Sequence, residues 1–514
     1  MVLDISAEPW DLLVVGGGTA GIVGAQTAAA LGAQVLLVER DRMGGDCLWT
    51  GCVPSKSLLA AAAAVARPDA DLGVGQGGPV DFEAVMRHVR GAVSTIAPVD
   101  SAESMTRAGV TVVAGAAVFT GREVATVDGR PVRFRQALVA TGSEPAIPEV
   151  AGLDPSRVLT SNTVWDLAQL PARLVVLGGG GIGCELGQAF ARLGSHVTLI
   201  EASSQVLPRE DPDAAALLHP KMEADGVAIV TGSGVCGVAY HNHAAFSGTV
   251  QLTDGRCVEF DRLLVSTGRT PRTTEVGLVA AGVELDERGY VRVDSRLRSS
   301  NPRIWAAGDI TGYPQLTHVA GVHGSIAATN AVLGLRRSAR AHAIPRVTFT
   351  HPEVAAIGAS TTQPPAGGRI LTLRHEHVDR AVTEGETDGM TRLAVDRRGR
   401  LVGATIVGPR AGESLAEVAL AIDQKLRPRD LAGVTHAYPT YADGVWNATV
   451  ADVRASLRAP SAARTISALV GVRRTWLDMS ARVGREPRPS SQPVLPVSAS
   501  ASADGPRAAP AERQ

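Results

Sequence analysis

Two stretches of this 514-residue chain repeat one order: a short apolar strand, a glycine-rich turn, a helix, a second strand and a glutamate. The glycines and the acid have the same spacing in both copies: Gly16, Gly18, Gly21 and Glu39, and Gly178, Gly180, Gly183 and Glu201. Such glycines allow a tight turn, close approach of a pyrophosphate and close helix–strand packing, while the acid can bind ribose hydroxyls. The repeat predicts two dinucleotide-binding domains, each with a parallel sheet. The alternative is that one copy is a purely structural βαβ unit.

A second constraint is a cysteine pair, Cys47 and Cys52, set among glycines and followed by an Ala-rich run that predicts a helix. Pro54 suits the first turn of that helix, and Cys52 then lies at the helix N-terminus, where the helix dipole favours a thiolate. Lys56 adds positive charge one turn later. The pattern indicates a reactive thiol, although a structural disulfide, a zinc site and two unrelated buried cysteines remain alternatives.

Composition limits the other possibilities. The formal net charge is −1, so bulk charge gives no reason to expect a nucleic-acid partner. Lysine occurs only at positions 56, 221 and 425, which makes the lysine beside the cysteines more than background usage. The first ten residues lack the features of a signal peptide, and no long uncharged apolar run predicts a membrane-spanning helix. We therefore expect a cytoplasmic protein without a resident metal.

The segment from Gly44 to Lys56 resembles the active-site segment of the FAD-dependent pyridine nucleotide-disulfide oxidoreductases, which include dihydrolipoamide dehydrogenase, glutathione reductase and mercuric reductase. The resemblance implies a redox-active disulfide between Cys47 and Cys52, with Cys52 facing the flavin and Cys47 meeting the substrate. It also implies that Lys56 lies near the flavin and pairs with Glu185. The alternative for Glu185 is a solvated helical side chain.

The same resemblance assigns the nucleotides. It implies that the first copy binds one FAD per subunit, with further contacts from a set of scattered residues: Lys56, Ala117, Thr141, Gly142 and Asp309. The second copy, closed by Gly268, would bind NADH or NADPH. Glu201 favours NADH because a carboxylate at that strand end repels a 2′-phosphate. Arg209 lies close to Glu201 in sequence, so NADPH remains an alternative coenzyme.

The predicted fold class is α/β, with two Rossmann-like domains and a C-terminal α+β dimerisation domain that implies a homodimer. The predicted boundaries are 1–148 and 271–340 for the FAD domain, 149–270 for the NAD(P) domain, 341–455 for dimerisation, 456–485 for a helical extension and 486–514 for a disordered tail. The extension predicts a basic amphipathic helix over 462–483. Such a helix can lie on an anionic membrane, but more often it packs against its own protein.

The electron acceptor is the least constrained part of the predicted function. Disulfide reductases of this family carry HPTxxE, whereas this chain has Tyr438 at the histidine position and Asp443 at the glutamate position. A Tyr pKa of about 10 makes a poor base at neutral pH, and His436 lies two residues too early to be carried into the role. A tyrosine at this position resembles mercuric reductase. Two features do not fit that enzyme: no cysteine follows Cys257, and Glu201 favours NADH.

These features predict an NAD(P)H oxidoreductase that passes electrons through FAD and the cysteine pair to a small-molecule or metal-ion acceptor. One alternative is a dihydrolipoamide dehydrogenase. Another, of a different class, is a non-catalytic flavoprotein that acts as a redox sensor.

Overall fold

The computed structural model describes residues 5, 8–66, 80–242, 246–339, 343–364 and 366–482. The chain divides into one compact unit that ends at Val453 and a second that begins at Arg454. The predicted tail, 486–514, lies outside the described residues.

The first nucleotide-binding domain begins with twelve elements in chain order: β1 (Trp10–Val15), α1 (Thr19–Ala30), β2 (Val35–Glu39), α2 (Gly45–Trp49), α3 (Cys52–Val65), α4 (Phe82–Ile96), α5 (Ala102–Arg107), β3 (Thr111–Ala114), β4 (Ala117–Phe119), β5 (Val124–Val127), β6 (Arg130–Val139) and β7 (Ser143–Pro145). Their sheet order is β3-β2-β1-β6-β5-β4, with β1 parallel to both β2 and β6. Leu12, Leu13 and Val14 are fully buried, as expected for a parallel strand covered on both faces.

The second nucleotide-binding domain contains the next elements: β8 (Arg173–Leu177), α6 (Gly181–Arg192), β9 (His196–Glu201), α7 (Pro212–Ala224), β10 (Val227–Thr231), β11 (Val235–Tyr240), β12 (Gly248–Leu252), β13 (Cys257–Phe260), β14 (Arg262–Val265) and β15 (Arg269–Pro271). Strands β10, β9, β8 and β14 form a parallel sheet in that order, and β11, β12 and β13 form an antiparallel one. Strand β15 pairs with β7, so the two nucleotide-binding domains meet in a small antiparallel sheet.

The chain then returns to the first sheet through β16 (Ile304–Ala306), which pairs in parallel with β6, and continues into α8 (Thr317–Leu333). Helix α8 packs closely against α1. A Cβ atom at Gly324 would lie 2.2 Å from the Ala20 carbonyl oxygen, so only glycine permits this approach. This close packing brings Thr317, the first residue of α8, to the cysteine segment.

The C-terminal region follows with ten elements: β17 (Arg346–Thr348), β18 (Glu353–Gly358), β19 (Arg369–Arg374), α9 (Asp379–Glu384), β20 (Met390–Val395), β21 (Leu401–Gly408), α10 (Ala411–Asp423), α11 (Pro428–Ala432), α12 (Asp443–Arg458) and α13 (Pro460–Arg482). The five strands form an antiparallel sheet in the order β17-β18-β21-β20-β19. Short 3₁₀ turns lie elsewhere in the chain, at Ala97–Asp100, Pro155–Arg157, Val164–Asp166, Asp309–Thr311 and His375–His377. The α/β fold class with an α+β C-terminal domain is confirmed.

One buried cluster fixes the active-site helix against the other domains. It includes Leu58 of α3, Phe190 of α6 and Val354 of β18, all of which are almost inaccessible to solvent. Burial of such side chains contributes about 1.5–3 kcal/mol each, so the relative position of the three domains is well defined. The cysteine helix therefore lies where the second nucleotide domain and the C-terminal sheet both reach it.

Two helical segments bear on membrane association. Among the described residues, the segment Gly45–Val65 is long and apolar enough to span a bilayer by composition alone. It carries both cysteines and Lys56, and Leu58 and Ala62 are buried in the domain core, so we interpret it as an internal helical segment. Helix α13 agrees with the predicted extension, and its large apolar side chains, such as Leu469 and Trp476, are exposed.

Candidate active site

The two cysteines lie on consecutive helices. Cys47 belongs to α2 and is half-buried, whereas Cys52 is the first residue of α3 and is exposed; both are free thiols. Indole N–H groups hold the segment in place, because Trp49 donates to the Met43 carbonyl at 2.7 Å and Trp165 donates to the Thr50 carbonyl at 2.9 Å. These bonds hold in place the segment that carries both sulfur atoms.

The environment of the two thiols makes them chemically unequal. Hydrogen bonding from Cys47 lowers the pKa of Cys52 to about 6. The Thr317 hydroxyl, 3.2 Å from its Sγ, and the Lys56 charge act in the same direction, whereas desolvation by the surrounding protein atoms opposes them. The same hydrogen bond raises the pKa of Cys47, because ionisation would lose the shared proton. At neutral pH, Cys52 is therefore a thiolate and Cys47 a thiol. The helix-terminal position predicted for Cys52 agrees with this inequality.

Lys56 and Glu185 form the ion pair that the resemblance implied. Lys56 Nζ lies 2.8 Å from Glu185 Oε2, and the Glu185 side chain is only 9% exposed. The second carboxylate oxygen accepts a hydrogen bond of 2.9 Å from the backbone N–H of Phe349, whose ring lies 4.4 Å from Lys56 Nζ. Glu185 is thus a buried, paired carboxylate and not a solvated helical side chain.

The two glycine-rich loops have the same geometry. Gly16 and Gly178 have φ of +106° and +103°, and a Cβ at Gly21 or Gly183 would lie 1.8 or 1.9 Å from the carbonyl oxygen of the first glycine in its loop. The structure therefore requires glycine at these turns and at the close helix–strand contacts. The middle glycines, Gly18 and Gly180, precede helices whose N-termini have no side-chain cap. Their first-turn N–H groups are available to bind phosphate.

Each predicted ribose-binding acid lies at its loop. Glu39 accepts hydrogen bonds from the backbone N–H groups of Gly17 and Asp41. Glu201 accepts equivalent bonds of 2.8 Å from Gly179 and Ser203. The ribose contacts themselves stay predictions, but both carboxylates are fixed at the positions from which they could be made.

A second cluster joins the motifs assigned to FAD. Ser143 Oγ donates to Asp309 at 2.7 Å, and Arg269 donates both to Ser143 and to the carboxylate of Asp46, the residue before Cys47. Burial raises the pKa of Asp309, although Ser143 and Arg269 oppose this. Arg269 thus connects the end of the second nucleotide domain to the cysteine segment, a role that sequence reasoning missed.

The other residues assigned to nucleotide binding occupy turns or strand ends. Gly142 and Gly268 have positive φ angles and flank the small sheet formed by β7 and β15. Thr141 donates to the Arg272 carbonyl at 2.8 Å, and Ala117 begins β4. The uncapped α1 terminus, the open space beside Gly142 and the half-buried carboxylate of Asp309 fit a dinucleotide such as FAD.

Tyr438 and Asp443 have separate hydrogen-bond partners. Tyr438 is 71% exposed and its hydroxyl donates to Asp379, which raises the pKa of the phenol. Asp443 is buried at the start of α12 and accepts a 3.0 Å hydrogen bond from the Thr440 N–H. The carboxylate that orients Tyr438 is therefore Asp379, which sequence reasoning missed because it lies 59 residues away.

His436 is held by a different partner. Its Nε2 lies 2.7 Å from Glu417 Oε1, and its Nδ1 lies 3.0 Å from the Val434 carbonyl. Burial lowers the pKa of His436, but these two contacts outweigh that effect and raise it. His436 is thus a carboxylate-paired histidine close in sequence to Tyr438.

The fold and the site define a two-nucleotide oxidoreductase with a redox-active cysteine pair. The sequence matches the pyridine nucleotide-disulphide oxidoreductase family over residues 10–324 and the dimerisation domain of that family over residues 344–449. The chain belongs to this family, whose members bind FAD, use pyridine nucleotide and assemble as homodimers.

Similar proteins within the family differ in activity. The chain is 36% identical to a mercuric reductase of Streptomyces lividans over 450 residues, covering 85% of this chain and 94% of that one. It is 36% identical to a dihydrolipoyl dehydrogenase of Chlamydia muridarum over 453 residues, covering 85% and 96%. Among solved structures, the Cu(II) complex of the HOCl-induced flavoprotein disulfide reductase RclA from Escherichia coli superposes with a TM-score of 0.76, at 26% identity and 86% and 99% coverage.

Proposed function

We propose that this chain is a homodimeric, NADH-preferring enzyme that passes two electrons through Cys47 and Cys52 to an acceptor needing no proton shuttle, such as a soft metal ion. The observation that carries the proposal is the exposed Tyr438–Asp379 pair at the position where disulfide reductases of the family have a histidine base. The names of two similar proteins, a mercuric reductase and a Cu(II) complex, support a metal-ion acceptor. We also propose a cytoplasmic location, where thiols are kept reduced.

The chain's own groups account for the reductive half of the reaction. Bound FAD would supply two-electron transfer between NADH and the cysteine pair. NADH gives up two electrons and one proton as it becomes NAD⁺. The disulfide accepts both electrons and one proton, and its S–S bond breaks to leave the Cys47 thiol and the Cys52 thiolate. The Lys56 charge stabilises that thiolate, and Cys47 holds the proton.

A metal-ion acceptor completes the balance without a separate base. Two Cu(II) ions each take one electron, or one Hg(II) ion takes two, while the disulfide re-forms and the Cys47 proton is released. Thiolates are preferred ligands of soft ions such as Hg(II) and the Cu(I) that Cu(II) reduction leaves. Among the described residues no group of three or more His, Cys, Asp and Glu side chains could hold a metal ion. In this proposal the metal ion is a substrate that the cysteine pair binds during turnover.

Thiol–disulfide exchange with an organic disulfide makes a different demand. It needs a group that accepts and returns a thiol proton, and a positioned base typically contributes 10²–10⁴-fold. Because Asp379 raises the pKa of Tyr438, the phenol stays protonated at neutral pH and cannot take this role. Lipoamide and glutathione disulfide should accordingly be poor acceptors.

The second candidate is dihydrolipoamide dehydrogenase. The His436–Glu417 contact favours it, because a carboxylate-paired histidine could act as the missing base. A third reading, a non-catalytic redox sensor, requires turnover to be negligible with every acceptor.

The discriminating experiment is steady-state NADH oxidation by the purified holoenzyme with lipoamide, Cu(II), Hg(II) and a soluble quinone. We expect turnover with a metal ion or quinone and little with lipoamide. A Cys47→Ser/Cys52→Ser variant controls for reduction that bypasses the pair. Lipoamide turnover that exceeds metal-ion turnover and is lost in His436→Gln would establish the second candidate. The absence of turnover with every acceptor would establish the sensor.

A further inference from the structure

Lys56 is held by a residue that neither the cysteine motif nor the nucleotide-binding motifs contain. One side of its ammonium faces Glu185 Oε2 at 2.8 Å, and another faces the Phe349 ring, with 4.4 Å between Nζ and the ring centroid. A cation over the face of an aromatic ring is attracted by the ring quadrupole. Phe349 therefore limits the positions that the flexible lysine side chain can occupy.

Phe349 contacts both members of the ion pair. Its backbone N–H donates to Glu185 Oε1 at 2.9 Å, although the two residues are 164 positions apart. Its side chain is 37% exposed, so the ring is not simply filling the protein core. The contact with Lys56 gives this large, partly exposed ring a role beside a charged pair.

The segment that carries Phe349 is fixed on both sides. His351 and Gln188 of α6 exchange two hydrogen bonds, each of 2.7 Å, between the backbone of one and the side-chain amide of the other. Arg346 forms a bidentate pair with Glu210, with both distances 3.0 Å. Bidentate pairs of this kind have little freedom of orientation. The C-terminal domain thus holds the Phe349 ring at a set place.

The consequence concerns the active thiol. Lys56 follows Cys52 by one helical turn, and its charge favours the Cys52 thiolate. We propose that Phe349 is a positioning residue of the redox site: its ring keeps the Lys56 ammonium beside Cys52 while its backbone N–H keeps Glu185 in place. This inference rests on the proposed function only for its significance in turnover, since the positioning itself can be measured without any acceptor.

The test measures how readily Cys52 ionises in the reduced holoenzyme. One readout is the pH dependence of iodoacetamide alkylation, assigned to Cys52 by peptide mass. The other is the long-wavelength absorbance that a thiolate gives beside oxidised FAD. Phe349→Leu removes the ring but keeps an apolar side chain and the backbone N–H. Phe349→Tyr keeps the ring and should behave like the unmodified protein.

We expect Phe349→Leu to raise the midpoint of both titrations by about half a unit to one unit, which corresponds to a roughly two- to five-fold loss of thiolate at pH 6. Phe246→Leu is the matched control, because Phe246 is also partly exposed and its ring also contacts a cation. Its ring centroid lies 4.7 Å from Arg262 Cζ in the second nucleotide domain. This control should not move the midpoint. A shift of equal size in Phe246→Leu, or none in Phe349→Leu, would overturn the inference.

A double-variant comparison separates positioning from general loosening of the structure. In a Lys56→Met background there is no ammonium to position, so adding Phe349→Leu should leave the midpoint where Lys56→Met alone puts it. A further shift would mean that the ring acts on Cys52 by another route, which contradicts the proposal. If Phe349→Leu does not fold, Phe349→Met supplies the same comparison. These results stand whether or not any acceptor supports turnover, so they fail independently of the proposed function.

Discussion

Replacing Cys47 with alanine tests the inequality of the two thiols. The main cause of the low Cys52 pKa is the hydrogen bond from Cys47, and the Thr317 hydroxyl and the Lys56 charge assist. Cys47→Ala removes the first contribution and leaves the other two. The pKa of Cys52 should therefore rise from about 6 toward the ordinary thiol value of about 8.5, with an expected midpoint above 7.

The size of the effect follows from the titration curve. A thiol with pKa about 6 is about 90% ionised at pH 7, whereas one with pKa about 8 is only about 10% ionised. Each unit of pKa corresponds to about 1.4 kcal/mol of differential stabilisation of the thiolate. The sign is fixed because the thiolate persists above the pKa and is lost as the pH falls through it.

The assay is a pH titration of the long-wavelength absorbance of the FAD-loaded protein. The unmodified protein needs two-electron reduction first, whereas Cys47→Ala exposes a single Cys52 thiolate without a reductant. Cys47→Ser is the matched control, because its hydroxyl can still donate to Cys52 and should give a smaller rise. Cys52→Ser should lose the absorbance altogether. A Cys47→Ala midpoint that stays near 6 would refute the assignment of Cys47 as the main stabilising donor.

Three further predictions concern the coenzyme, the assembly and the acceptor site. Glu201→Gln keeps a hydrogen-bond acceptor for the Gly179 N–H but removes the negative charge. The kcat/KM with NADPH should therefore rise by about tenfold relative to that with NADH. An unchanged ratio of the two kcat/KM values would show that the carboxylate does not select the coenzyme. A chain cut before Pro345 should be inactive even where it binds FAD, whereas a chain ending at Ala459 should stay an active dimer. Sizing in solution, combined with an activity assay, checks both expectations. An active monomer would contradict them. Tyr438→His combined with Asp443→Glu should raise lipoamide turnover, measured as dihydrolipoamide oxidation, and no gain would show that the missing base does not limit that reaction.

Local patterns explain what the sequence predicted well. Both βαβ units follow from apolar runs and glycine spacing, because their turns and close contacts depend on residues a few positions apart. The extension helix was predicted over 462–483 and spans Pro460–Arg482. The Lys56–Glu185 pair was reached only through the family resemblance, since 129 residues separate its members.

The rest of the site depends on contacts between distant segments. Thr317 reaches Cys52 across 265 positions and Arg269 reaches Asp46 across 223, and neither contact leaves a periodic signal in the sequence. Phe349 directly follows β17, and its local sequence gives no reason to associate it with a lysine in another domain. Asp379, the partner of Tyr438, was missed for the same reason. Tertiary packing alone brings these groups together.

The most direct test of the proposed function compares two acceptors with one enzyme preparation. The ratio of kcat/KM for Cu(II) or Hg(II) to that for lipoamide should be well above one with NADH as donor, and metal-ion turnover should disappear in Cys47→Ser/Cys52→Ser. Tyr438→Phe should leave the low lipoamide rate unchanged, because the phenol is not its base. A lipoamide rate that exceeds the metal-ion rate, and that survives Tyr438→Phe but not His436→Gln, would contradict the account.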